Sequence, residues 1–191
     1  MKVLRPGLGE VVAADLGLMI PFFRTLARLG AEGPFQLVSY LVGLKEQIGE
    51  ELDLRNEARS MAHFRGLFEE FGLDLLVVPG VYEDLTARNV ITMEYLDGVP
   101  IDDLAMVEQL GLDPKLLIRE LLRAWVLTAV HTGTFHADIH AGNLLAMPDG
   151  RLGMLDWGIV AQLDPETQEL MTKLVEASLG DESAWESIAN K

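Results

Sequence analysis

Apolar side chains recur along this chain at two spacings, and the change from one to the other lays out its elements. Val12, Leu16, Met19, Phe23, Leu26 and Leu29 stand three or four apart, which predicts a helix over Gly9 to Leu29. Pro21 should kink or divide it, because proline has no N–H to donate and its ring crowds the preceding turn. Leu16 to Phe23 comes nearest to a membrane-spanning run, but it is short and broken by Pro21, and it reads as a buried or interfacial helix. Gly30 to Pro34 is a break. Leu37, Leu41, Leu44, Ile48 and Leu52, then Met61, Phe64 and Phe68, predict one long helical region from Phe35 to Phe71, with Gly43, Gly49 and Gly66 as its weak points.

Strands read differently. Met1 to Arg5 is a short extended stretch closed by Pro6-Gly7. Leu75 to Val78 and Asn89 to Tyr95 read as strands, separated by a turn at Glu83 to Arg88. Ile101 to Leu110 reads as a short helix. Asp113-Pro114 opens the clearest helix, with Asp as N-cap and Pro at the first position, and Gly133 closes it. Asp164-Pro165 opens another by the same logic, over Glu166 to Leu179, and Trp185 and Ile188 begin one more.

Between those helices lies a hairpin. Leu144 to Met147 is apolar, Pro148-Asp149-Gly150 is a turn, and Arg151 to Leu155 is apolar again. A hairpin brings its ends together, so Asn143 and Asp156 should be neighbours, with Asp138 on the loop feeding the first strand. Two carboxylates and a carboxamide then converge. Magnesium takes hard oxygen ligands and keeps several waters, so one Asp and one Asn with nucleotide phosphates suffice for metal, while the remaining Asp is free to accept a hydroxyl proton. H-x-D-x-x-x-x-N followed by D-x-G is the kinase catalytic pattern, here His136-Ala137-Asp138 through Asn143, then Asp156-Trp157-Gly158. The plainer reading is a surface hairpin with turn acids. His63, His131, His136 and His140 lack zinc-site spacing and read as loop and surface histidines.

Composition narrows the partners. The 191 residues carry a net charge of -15, which argues against nucleic acid, and hold no cysteine, which excludes disulfide and thiol chemistry. ATP stays open, since magnesium or a local cation offsets the acidic average. No signal peptide or spanning segment is visible, and the expected location is the cytoplasm or, peripherally, the cytoplasmic membrane.

Two further positions fit kinase chemistry. Lys2 by itself reads as an ordinary exposed N-terminal lysine, and only beside the other motifs does it look like the nucleotide-side lysine of a kinase strand. In Glu50-Glu51-Leu52-Asp53-Leu54-Arg55-Asn56-Glu57-Ala58, Asp53 and Glu57 are four apart and should share a helix face, with Glu51 pointing elsewhere. Glu57 is the expected partner of Lys2; a solvated acidic face is the alternative. Glu94 to Gly98 leaves the sheet as a polar connection, which reads either as the place where a kinase hinge meets adenine or as a plain strand exit.

These residues carry a resemblance. Lys2 to Gly7, Glu51 to Ala58 and Phe135 to Gly158 match, in order, the atypical kinase-like family called ABC1, AarF, ADCK or UbiB. Ile139 and Ala141 stand where the family has prolines, and Trp157 where Phe is usual. The resemblance implies an α+β, protein-kinase-like two-lobe fold with a truncated N-lobe (1–96) and a mostly helical C-lobe (97–191). It implies ATP and Mg2+ as cofactors, a role in ubiquinone or other prenyl-lipid synthesis, and a prenyl lipid, membrane surface or lipid-biosynthesis proteins as partners. Lys2 would contact phosphates, Glu57 would hold it, Glu51 and Asp53 would be the family's E-x-D, Asp138 the catalytic acid, and Asn143 and Asp156 the metal ligands. The K-x-G-Q segment and alanine-rich loop are missing, so the chain reads as a fragment with weak nucleotide binding and little turnover. The competing readings are a small-molecule phosphotransferase of the aminoglycoside or choline kinase type and a non-catalytic module that binds a lipid or partner protein.

Overall fold

The computed structural model describes residues 1–29 and 32–189, with side chains outside the description at 8, 32–35, 47, 50, 51, 186, 188 and 189. The expected break at Gly30 to Pro34 therefore falls partly outside the described residues. The chain is α+β and divides into two compact units, Met1–Arg59 with Val81–Glu94, and Ser60–Gly80 with Tyr95–Lys191.

In the first unit, β1 (Lys2–Val3) pairs antiparallel with β3 (Val90–Ile91), Lys2 opposite Ile91. Two helices follow β1, α1 (Leu8–Arg28) and α2 (Glu32–Glu51). Leu16, Ile20 and Leu41 form their buried cluster, with Val12, Phe23 and Val42 against it. α1 runs through Pro21 as one element, so the proline does not divide it. Leu18 and Phe22 of the same stretch stay exposed.

The predicted single helix over Phe35 to Phe71 is two helices. α2 stops at Glu51 and α3 runs from Leu54 to Glu70. The break sits at Leu52-Asp53 and at none of the three glycines. Asp53 causes it: its Oδ1 accepts the Arg55 N–H at 3.1 Å, an acid capping the next helix. The Leu54 N–H donates to the Arg88 carbonyl at 2.9 Å, which anchors that start. Asp53 and Glu57 therefore do not share a helix face: Asp53 precedes α3, and Glu57 is in its first turn.

The second unit holds a four-stranded sheet in the order β2 (Leu76–Val77), β7 (Leu152–Met154), β6 (Leu144–Ala146), β4 (Val99–Pro100). β6 and β7 are the predicted hairpin, with Leu145 opposite Gly153. β5 (Thr134–His136) pairs with β8 (Val160–Gln162), flanking the catalytic pattern on both sides. Helices α4 (Leu104–Gln109), α5 (Pro114–Thr132), α6 (Pro165–Ser178) and α7 (Glu182–Ala189) complete it. α5 begins and ends as its caps require: the Asp113 side chain accepts the Lys115 N–H at 2.9 Å, and Gly133 takes φ 71°. α4 starts three residues later than expected, because Val99–Pro100 is drawn into the sheet and Asp103 caps the helix. The core gathers Phe64, Leu73, Val107, Leu152 and Trp157, all fully buried. Among the described residues no helix is long and apolar enough to cross a membrane.

Candidate functional site

Asp138, Asn143 and Asp156 are brought together through main-chain and ring hydrogen bonds of the second unit. Register alone does part of this: Leu144 opposes Met154, and the Leu155 N–H donates to the Asn143 carbonyl at 2.9 Å. His136 does the rest. Its Nδ1 accepts the Asp138 N–H at 3.1 Å, so the ring proton resides on Nε2, which donates to the Asp156 carbonyl at 2.5 Å. One imidazole thus joins the loop of Asp138 to the turn of Asp156.

His136 is not a surface histidine, contrary to the sequence reading. It is 6% exposed, and burial pushes its pKa down, which keeps the ring neutral as both bonds require. The sequence hides this because the partner is a carbonyl twenty residues on. His136 packs edge-on against Trp157 with centroids 4.8 Å apart, and Phe64 of α3 lies 4.7 Å from the same indole. Trp157 in turn donates its indole N–H to the Met154 carbonyl at 2.9 Å, fixing the turn that carries Asp156. Asp156 Oδ1 accepts the Gly158 N–H at 3.1 Å, which orients the carboxylate.

Asp138 lies on an open loop, its side chain 52% exposed. His140, also unassigned by sequence, has its Nε2 2.9 Å from the Asn143 amide nitrogen and 3.8 Å from Asp138 Oδ2. Among the described residues no three His, Cys, Asp or Glu side chains gather into a metal cage. The donor set is one carboxylate and one carboxamide, hard oxygens that fit magnesium and leave positions for phosphate and water.

In the first unit, Lys2 Nζ stands 2.9 Å from Glu57 Oε1. The Glu57 side chain is 2% exposed and that of Lys2 38%, so the pair is half-buried, with its carboxylate inside. Asp53 forms a two-pronged ion pair with Arg55, at 2.8 and 2.6 Å, and that guanidinium lowers its pKa to about 2. The Glu51 side chain lies outside the described residues. Glu94 is exposed and closes the first unit.

The ABC1 atypical kinase-like domain model matches residues 1–187. An uncharacterized chloroplastic aarF domain-containing protein kinase of Arabidopsis thaliana is 35% identical over the whole chain, which covers 35% of that protein. A probable protein kinase UbiB of Azotobacter vinelandii is 34% identical over 91% of the chain and 33% of its own length. The chain thus spans about a third of the length of these relatives. The solved structure of Mycobacterium tuberculosis Rv3197 with erythromycin is similar at TM-score 0.65 and 28% identity, over 94% of this chain and 45% of that one, and it shares the kinase-like α+β fold. The chain belongs to the ABC1 atypical kinase-like family.

Proposed function

We propose that this chain carries a nucleotide site of the atypical-kinase type that binds ATP with magnesium. The supporting observation is the hydrogen-bonded unit of His136, Asp138, Asn143 and Asp156, in which one neutral ring sets the separation of the two acids' main chains. Asn143 and Asp156 would hold the ion, which supplies charge neutralisation on phosphate oxygens. Asp138 would accept the proton of an attacking hydroxyl or water at its carboxylate. Lys2 would bind nucleotide phosphates, with Glu57 fixing its ammonium group. Asp53 would act by setting the start of α3, which carries Glu57. Glu51 completes the E-x-D, and the connection at Glu94 would meet the adenine edge.

The wider role that follows is support of ubiquinone or another prenyl lipid's synthesis, at the face of a membrane, by ATP hydrolysis or transfer to a small acceptor. Magnesium-dependent ATP binding, read by thermal shift, tests the site. A hundredfold excess of ligand over Kd should raise Tm by roughly 5–10 °C. Asp156→Asn and Asn143→Ala should abolish the magnesium dependence, and Lys2→Ala should weaken binding. A parent chain indifferent to magnesium-ATP, or an Asp156→Asn that responds equally, rules the assignment out. Choline, aminoglycosides and erythromycin, the last bound by the structural neighbour, serve as acceptor probes in the same assay.

A further inference from the structure

The turn 140–143 closes on itself twice. The Asn143 N–H donates to the His140 carbonyl at 3.0 Å, and the Asn143 side-chain Nδ2 lies 2.9 Å from His140 Nε2. Gly142 gives the ring its seat: a Cβ there would stand 3.1 Å from both Cε1 and Nδ1 of His140. Asp138 Oδ2, at 3.8 Å, is beyond hydrogen-bond reach, so the Asn143 amide is the nearer neighbour of that nitrogen.

An amide nitrogen only donates, so Nε2 accepts and the ring proton is on Nδ1. With Nδ2 so engaged, the carboxamide turns Oδ1 away from His140. The reverse arrangement, Nε2–H donating to Oδ1, would present an NH2 group, which cannot ligate a cation. Holding the amide nitrogen against the ring is therefore what leaves the carboxamide oxygen of Asn143 available as a ligand.

We propose that His140, as its Nδ1–H tautomer, is the positioning residue that keeps the carboxamide oxygen of Asn143 turned toward a divalent cation. This rests on the ion-site reading above. The partner that orients a metal ligand typically contributes about 10–100-fold to metal affinity. An exposed ring belongs at the low end of that range.

Two measurements test it. In the metal-free chain, long-range 1H–15N correlation should show His140 protonated at Nδ1, with an Nε2 resonance that moves in Asn143→Ala; a ring protonated at Nε2 overturns the proposal. The magnesium midpoint of the ATP-dependent thermal shift should rise about tenfold in His140→Ala. His140→Gln, whose carboxamide oxygen can accept in the same place, should recover most of that loss. Gly142→Ala, which pushes the ring off its seat, should move the midpoint the same way by a smaller factor. If the parent responds to magnesium and His140→Ala keeps the parent midpoint, the positioning role is wrong and the ion site survives. A parent that ignores magnesium removes both.

Discussion

His136 Nε2 stands 2.5 Å from the carbonyl oxygen of Asp156, and the opposite nitrogen of the same ring receives the N–H of Asp138. A planar five-membered ring has fixed dimensions. The main chains of the two acids are therefore held at a separation set by an aromatic spacer, not by two independent loops. Only a neutral ring with its proton on Nε2 satisfies both bonds, and burial supplies that neutrality.

Replacing this spacer should be costly. His136→Phe deletes both hydrogen bonds and puts a larger, six-membered ring into the same buried seat, which should cost about 1–3 kcal/mol. His136→Ala adds a cavity and should cost about 2–4 kcal/mol. Urea unfolding measures both. Hydrogen exchange at the Asp138 amide should accelerate in either variant, and an unchanged rate would show that the ring does not hold that amide.

Trp157 gives a second, smaller test. Its indole N–H reaches the Met154 carbonyl at 2.9 Å from a site with 0% exposure. Phenylalanine has no such donor. Trp157→Phe should cost about 2–3 kcal/mol, from the lost bond and the space left beside Phe64 and Phe68. The cost should appear as an earlier urea midpoint at unchanged slope. A neutral substitution would mean that the indole N–H does not pin the turn.

Much of this was legible in the sequence, and the failures share a cause. Local signals worked: Asp113-Pro114 and Gly133 bounded α5, and Pro148-Asp149-Gly150 placed the hairpin. Lys2 and Glu57, 55 residues apart, were paired from the kinase pattern, and the structure sets them 2.9 Å apart. Asp53 misled because three- and four-residue apolar spacing stands on both sides of it, Leu41 to Leu52 and Met61 to Phe68, and its capping bond to the Arg55 N–H leaves no mark in that spacing. β4, β5 and β8 are two or three residues long, too short for alternation to register. His136 escaped because what it recognises is backbone.

Two glycines should separate by the hardness of what they face. A Cβ on Gly98 would stand 2.9 Å from the Ala146 carbonyl oxygen, main chain of the hairpin strand. A Cβ on Gly153 would meet Leu96 Cδ1 at 2.7 Å, the movable end of a side chain. Gly98→Ala must shift strand backbone and should cost about 1–3 kcal/mol, whereas Gly153→Ala should cost less because Leu96 can change rotamer. Thermal unfolding of the two variants decides it, and the reverse order would show that Leu96 is locked.

Asp53 carries a pH dependence of definite sign. The Arg55 guanidinium lowers its pKa from the ordinary 3.8 to about 2. Between those values the unfolded chain binds the proton and the folded chain does not, so stability falls as pH falls. The contribution is complete above about pH 4 and is lost as the solution passes down through pH 2. The consequence is local, because Asp53 caps α3 just before the turn that carries Glu57. Carboxyl 13C NMR should give Asp53 a midpoint near 2 in the parent and a higher one in Arg55→Ala, which loses the guanidinium and keeps the capping N–H. Amide exchange at Arg55 should quicken on acidification before the rest of α3 opens. A parent Asp53 titrating at the ordinary value would mean that neither the Arg55 guanidinium nor the Arg55 N–H holds the carboxylate.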